Sequence, residues 1–140
     1  AEGGVASCLM HNRKVAEYTH LVEDVVEDLR ESLRLAEQAG MDMNGVCLDP
    51  GIGFAKTLDE NLQMMNHLEA LQELSYPVLL GTSRKSMIGL TLDLPVDQRE
   101  EGTMATTVLG IMKGCSIIRV HDVEKNLRAA KMTLAMLRAK

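Results

Sequence analysis

The chain has 140 residues, of which 46% are hydrophobic and 25% charged, an ordinary balance for a single soluble globular domain. Its net charge of −5 argues against a general affinity for nucleic acid, because phosphate backbones are bound mainly by clustered Lys and Arg. No apolar stretch approaches the ~20 residues that cross a bilayer, so we expect neither a nucleic-acid nor a membrane partner.

The first predicted strand ends in the polar residues of the run Leu9–Arg13, and a long amphipathic helix follows it. Apolar residues from Val22 to Ala36 recur at helical spacing, with Glu, Asp and Arg on the opposite side. Gly40 is of the residue type that commonly follows a helix end. We therefore expect the helix to end there and the second strand to begin near Val46.

The second strand ends at Asp49, and the next helix opens at Thr57. Thr57 and Glu60 have the spacing of a capping box, in which each side chain satisfies a free backbone N–H group of the first turn. The helical periodicity then predicts four buried side chains, Leu62, Met65, Leu68 and Leu71.

Two further strands and helices complete the predicted order. Pro77 marks the entry to the third strand, a third helix ends at Gly114, and a fourth begins near Val123. Polar strand ends recur about every 36 residues, which matches one βαβ repeat; they are His11, Asp49, Ser83 and Arg119. Periodicity alone leaves open an open four-stranded sheet or half of a (β/α)8 barrel.

The three cysteines, Cys8, Cys47 and Cys115, are widely spaced and lie in or beside predicted strands. This usage predicts buried thiols in a reducing compartment, and we expect the protein to be cytoplasmic.

Polar residues at the strand ends are the candidate chemistry, because ligands of parallel α/β folds collect at the carboxyl ends of the strands. Asp49 precedes the Gly-x-Gly loop of residues 51–53, and its carboxylate either binds two parallel N–H groups of a planar heterocycle or caps the loop. The run Gly81–Ser86 combines hydroxyl groups with Arg84 and Lys85, which suits an anion, although a surface loop with an ion-paired Arg84 is the alternative.

Arg119 and His121 alternate on the last strand and therefore share one face. Two cationic side chains on one strand face are reasonable when an anion lies between them. His11 closes the first strand in a similar way, and a hydrogen-bonded histidine that holds a loop is an equally good interpretation of it.

Taken together, the motifs LMHN, DPGIGFAKT, GTSRKS, REEGT and RVHDV resemble the second half of the dihydropteroate synthase family. The resemblance implies an α/β fold in which residues 1–140 form four consecutive βα units, the C-terminal half of a (β/α)8 TIM barrel, with the N-terminal half absent. It implies the condensation of 6-hydroxymethyl-7,8-dihydropterin diphosphate with p-aminobenzoate in folate synthesis. We expect the isolated half barrel to be a poor catalyst.

The resemblance also assigns residues to the pterin substrate. Asp49 would bind the 2-amino and ring N–H edge, and Lys85 the carbonyl group and a ring nitrogen. Arg119 and His121 would hold the diphosphate, and with Lys85 they form the expected catalytic set.

Other features follow from the same resemblance. Ser86 would meet the carboxylate of p-aminobenzoate, while Phe54 and Met10 would border the rings. Mg²⁺ is the expected cofactor, with its ligand in the N-terminal half and none in this chain. A homodimer and sensitivity to sulfonamides are expected of the intact enzyme.

Two alternative functions remain open at this point. A methyltetrahydrofolate-dependent methyltransferase shares the barrel and a pterin site, but it does not need the diphosphate-binding cations. A half barrel kept only for binding or assembly is the alternative from outside enzymology.

Overall fold

The structure is a computed structural model, and it describes residues 4–140. Four short strands alternate with helices along the chain. The strands are β1 (Ser7–Met10), β2 (Val46–Asp49), β3 (Leu79–Leu80) and β4 (Ile117–Ile118). The helices are α1 (Leu21–Gln38), α2 (Leu58–Asn66), α3 (Ser86–Leu92), α4 (Glu100–Met112) and α5 (Val123–Arg138). Short 3₁₀ segments precede β2 and α4, and a longer one, Leu68–Leu74, follows α2.

The strands are parallel and follow one another in chain order. β1 pairs with β2 and β3 with β4, and a parallel bridge between Leu48 and Val78 joins the two pairs. The Leu48 N–H group donates to the Pro77 carbonyl oxygen at 2.8 Å across this junction. A doubly wound sheet reverses its strand order at one point, whereas a (β/α)8 barrel does not. The four βα units therefore have the arrangement of half a barrel, which the periodicity had left undecided.

The two faces of the strands have different surroundings. Leu48, Val78 and Leu80 are fully buried against the helices, where they join Val25 and Leu29 of α1 in the hydrophobic core. The residues that alternate with them form what we call the open face, and its exposed members include Cys8, Met10 and Ile117.

The cysteine prediction is correct only for Cys115, which is buried. Cys8 is exposed and Cys47 half-buried, because both point away from the helices on paired strands. All three are free thiols.

The four predicted helices are confirmed as α1, α2, α4 and α5, with one error of register, whereas α3 was not predicted as a helix. Thr57 and Glu60 form the capping box, since the Glu60 N–H group donates to Thr57 Oγ1 at 3.2 Å and the Thr57 N–H group to Glu60 Oε2 at 2.7 Å. Leu62 is 40% exposed and the prediction that it is buried is wrong. Helix α2 ends at Asn66, and Met64 takes the inward position.

Within residues 4–140, none of the helices combines the length and the apolar character that crossing a membrane requires.

Candidate active site at the carboxyl ends of the strands

The ends of β3 and β4 enclose a cavity of about 180 Å³. Its lining consists of Gly81, Ser83, Lys85, Arg119, Val120 and His121. The backbone N–H group of Arg119 donates to the Leu80 carbonyl oxygen at 2.9 Å, which brings the polar ends of the two strands side by side. Lys85, which belongs to a different sequence motif, therefore shares one cavity with Arg119 and His121.

Asp49 lies beside this cavity at the end of β2 and is only 2% exposed. Its Oδ1 atom accepts the Gly51 N–H group at 2.8 Å, so the carboxylate does cap the loop. Its Oδ2 atom lies 3.8 Å from Nη2 of Arg119. The two interpretations of Asp49 are thus compatible, because one oxygen holds the loop and the other lies toward Arg119, which lines the cavity.

Lys85 connects the cavity to the loop of residues 51–55. Its Nζ atom donates to the Ile52 carbonyl oxygen and lies 4.9 Å from the centre of the Phe54 ring, a cation–π contact. Burial lowers the pKa of Lys85, and the charge of Asp49 opposes that change. The ammonium group is therefore held between the loop and the carboxylate.

His121 is held by Ser83, the polar residue that ends the third predicted strand. Ser83 Oγ lies 2.8 Å from Nδ1 of His121 and also accepts the His121 backbone N–H group at 3.1 Å. Because the ring is held through Nδ1, Nε2 is the ring nitrogen that can reach a ligand.

The remaining predicted residues lie around this cavity in different environments. Arg84 approaches Glu100 at 3.8 Å rather than lining the cavity, which favours the ion-paired interpretation of that residue. Ser86 is exposed at the first position of α3. Met10 on the open face and Phe54 in the loop are each 38% exposed.

His11 lies outside the cavity in a network that supports the loop. It is 2% exposed, with Nε2 at 2.9 Å from Asp28 Oδ2 and Nδ1 at 2.9 Å from Lys56 Nζ. Burial lowers the pKa of Lys56 to about 8. The loop-holding interpretation of His11 is the one that the structure favours, and Lys56 is a residue that sequence reasoning missed.

No group of three or more His, Cys, Asp or Glu side chains in the part of the chain that the structure describes is arranged to hold a metal ion. These residues alone do not fit a Mg²⁺ site.

Gly81 has no side chain, and this leaves the space that the guanidinium group of Arg119 occupies. A β carbon at this position would lie 2.6 Å from Nη2 of Arg119. We expect Gly81→Ala to displace the guanidinium group and to weaken about tenfold the diphosphate binding that the family resemblance implies for Arg119, the loss of roughly one hydrogen bond to an ion. Stability should change little, because the displaced side chain is flexible and 61% exposed. Calorimetry checks this against Gly45→Ala, whose β carbon meets nothing closer than 3.5 Å; equal diphosphate affinity in the two variants would contradict it.

Lys56 should make a measurable contribution to stability at alkaline pH. Between its pKa of about 8 in the folded chain and the ordinary value of 10.5, the unfolded chain binds more protons, so this contribution to the free energy of unfolding rises with pH. The raised pKa values of Cys8, Cys115 and Tyr18 act in the opposite direction. Urea unfolding of wild type and Lys56→Met isolates the lysine: the difference, wild type minus variant, should increase between pH ~8 and ~10. A constant difference would refute the assignment.

Residues 1–121 match the protein family described as pterin binding enzyme. The chain is 58% identical over 139 residues to the dihydropteroate synthase of Clostridium beijerinckii and 56% identical over 137 residues to that of Bacillus subtilis. These alignments cover 99% and 98% of the chain but 52% and 48% of the relatives. The chain thus spans about half the length of the curated relatives it matches.

Solved structures give the same result. A dihydropteroate synthase from Clostridium difficile, determined in the presence of pteroic acid, superposes with a TM-score of 0.90 at 44% identity, over 94% of this chain and 51% of that one. The Yersinia pestis enzyme in a sulfonamide drug complex superposes with a TM-score of 0.94 at 36% identity, over 97% and 52% of the two chains. The half-barrel arrangement is therefore that of known dihydropteroate synthases.

Proposed function

The chain belongs to the family of pterin binding enzymes, and we propose that it supplies half of the active site of a dihydropteroate synthase. The reaction joins 6-hydroxymethyl-7,8-dihydropterin diphosphate to p-aminobenzoate and gives 7,8-dihydropteroate and diphosphate. The relatives that share over half of its residues carry this name.

The observation that carries the proposal is the order of charges across the site. Asp49 lies at one side, and Arg119 and His121 line the cavity next to it, with Lys85 between the loop and the cavity. A carboxylate suits the N–H edge of a heterocycle, whereas guanidinium and imidazole groups suit phosphate oxygens. The substrate carries these two chemistries at opposite ends.

The chemical step is a displacement at the methylene carbon of the pterin. The amine nitrogen of p-aminobenzoate forms a bond to this carbon while the carbon–oxygen bond to the diphosphate breaks, and the leaving oxygen takes the electron pair. The amine then loses a proton to solvent. Negative charge grows on the diphosphate, so the contribution of Arg119 and His121 is electrostatic stabilisation of the leaving group.

Asp49 and Arg119 require one rearrangement before the pterin can bind. Asp49 is buried, and the Arg119 guanidinium group covers its Oδ2 atom at 3.8 Å. We infer that the incoming diphosphate draws Arg119 away from Asp49 and so frees the carboxylate for the ring. The Arg119 side chain is 61% exposed, so it is free to move.

The second substrate is assigned to the outer part of the site. Ser86, an exposed hydroxyl group, would bind the carboxylate of p-aminobenzoate, and Phe54 and Met10 would contact the rings. The exposure of all three side chains supports this assignment.

Properties of the whole enzyme belong to the same proposal. Mg²⁺, with a ligand from outside this chain, follows from the resemblance. A cytoplasmic location follows from it as well, and the three free thiols support that location. We also propose a homodimer, which is supported by exposed apolar side chains on α5, namely Leu127, Met132, Met136 and Leu137.

The direct test restores the other half of the barrel. The chain is mixed with the segment that the Bacillus subtilis relative carries outside the aligned region, and diphosphate release is measured with both substrates. We expect slow release by the chain alone, restoration by the mixture, and loss of that restoration in Asp49→Asn.

Two outcomes of this test would overturn the proposal. No release by a stable complex of the two pieces would favour a non-catalytic half barrel. If the plain hydroxymethyl pterin competes as well as its diphosphate ester, the cations do not bind diphosphate, and the methyltransferase interpretation gains.

A further inference from the structure

The loop of residues 51–55 carries groups of the site but belongs to no helix or strand. Its backbone adopts left-handed conformations at Gly51 (φ 70°), Gly53 (φ 85°) and Ala55 (φ 48°). Such a loop keeps its shape only when groups outside it satisfy its backbone and over-determine its conformation.

One backbone group of the loop is satisfied by each of Tyr18, Asp49, Asn61 and Lys85. Lys56 satisfies two. Its Nζ atom lies 3.2 Å from the Gly51 carbonyl oxygen, 3.1 Å from that of Phe54 and 2.9 Å from Nδ1 of His11. An ammonium group has three N–H donors, and these three acceptors use all of them. With a pKa of about 8, Lys56 carries the full set of protons at neutral pH.

Asp28 fixes the ring of His11 as an acceptor for Lys56. Asp28 takes hydrogen bonds from Arg13 Nε at 2.6 Å and from Nε2 of His11 at 2.9 Å, and the bond from Arg13 holds the pKa of Asp28 below its ordinary value. An ionised carboxylate requires the proton on Nε2, so Nδ1 is left with its lone pair for Lys56. Burial lowers the pKa of His11 and keeps the ring neutral.

The loop in turn holds the ammonium group of Lys85. The Ile52 carbonyl oxygen accepts from Lys85 Nζ, and the Phe54 ring lies 4.9 Å below it. Phe54 is itself bonded to Lys56 through its carbonyl oxygen, and Ile52 directly follows Gly51, the other residue of the loop that Lys56 bonds. A change at Lys56 is therefore transmitted to Lys85 without a contact between the two side chains.

We propose that Lys56, oriented by His11, is a positioning residue: it fixes the 51–55 loop and through it the ammonium group of Lys85 in the active site. The kinetic consequence rests on the proposed function, which gives Lys85 to the pterin. The residues that face the diphosphate, Arg119 and His121, are outside this network. Loss of Lys56 should therefore raise the pterin KM and leave kcat nearly unchanged.

Lys56→Met removes the three donors and keeps the apolar stem. In the restored barrel we expect a pterin KM about tenfold higher with kcat within about threefold of wild type. A merely structural role would lower the stability of the chain without this division between KM and kcat.

His11 offers a matched pair of variants. In His11→Asn the amide oxygen occupies the place of Nδ1 and still accepts from Lys56, whereas His11→Gln places its amide at Nε2 and keeps only the contact with Asp28. We expect the Asn variant to retain a pterin KM within about threefold of wild type and the Gln variant to match Lys56→Met. Equal KM values in the two would overturn the proposal.

A measurement on the chain itself separates this proposal from the proposed function. The ¹⁵N NMR spectrum of the His11 ring should show a protonated Nε2 and an unprotonated Nδ1, whether or not the barrel turns over. A protonated Nδ1 would overturn the network, whereas correct protonation with no turnover by the restored barrel would overturn the proposed function alone. If a His11 variant does not fold, the spectrum and the Lys56→Met kinetics still decide.

Discussion

Arg119→Ala should slow turnover of the restored barrel by about two to three orders of magnitude, because one preorganised donor to a leaving oxygen contributes roughly 3 to 4 kcal/mol. The variant loses the guanidinium group that faces the cavity. It keeps the loop of residues 51–55 and the carboxylate of Asp49 that caps this loop. Binding of a pterin without diphosphate should therefore persist, since its contacts lie on the Asp49 side.

Calorimetry with diphosphate and with a plain pterin checks both parts of this prediction. Arg128→Ala is the matched control, because Arg128 is an exposed arginine of α5 whose partner is Glu124 on the same helix. We expect the control to bind diphosphate as wild type does. Equal diphosphate affinity in Arg119→Ala and Arg128→Ala would show that the cavity is not the anion site.

Gly51→Ala should be the most destabilising single substitution in the loop. Gly51 has a φ of 70°, and a β carbon there would lie 2.0 Å from the backbone carbonyl oxygen of His11. The left-handed conformation alone costs a non-glycine residue about 1 to 2 kcal/mol. The overlap adds to this, because the end of β1 is held by a hydrogen bond from His11 N–H to the Asp49 carbonyl oxygen and cannot yield freely.

Gly40→Ala separates the two effects. Gly40 has almost the same φ, 74°, but its β carbon would meet nothing within 4 Å. We expect a loss of about 1 to 2 kcal/mol for Gly40→Ala and about 4 kcal/mol for Gly51→Ala by urea unfolding. Similar losses in the two variants would mean that the chain relaxes around His11 and that the loop is less tightly fixed than the structure indicates.

Local sequence patterns predicted the elements of the fold well. The capping box at Thr57 and the helix end before Gly40 depend on neighbours only a few residues away, and both are confirmed. The order of the strands depends on the bridge between Leu48 and Val78, which no local pattern encodes. Leu62 was misplaced because the inward face of α2 includes the polar residue Asn61, which accepts the Gly53 N–H group and which a count of apolar residues leaves out.

The candidate site was predicted only in part, because some of its contacts join residues that are far apart along the chain. Side chains at strand ends, such as Asp49 and Arg119, are found from sequence because parallel strands bring their carboxyl ends together. Ser83 was predicted as a polar strand end but its contact with His121 was not, and Lys56 was missed altogether. Their histidine partners lie 38 and 45 residues away along the chain. A lysine that ends the loop motif DPGIGFAK was the one available signal for Lys56.

A crystal structure of the restored barrel with 6-hydroxymethylpterin diphosphate would decide whether Asp49, Lys85, Arg119 and His121 form a single substrate site. We predict the pterin N–H edge within hydrogen-bond distance of Asp49, with the ring beside Lys85 and the diphosphate between Arg119 and His121. A ligand bound elsewhere, or bound with its phosphates turned toward Asp49, would contradict the assignment.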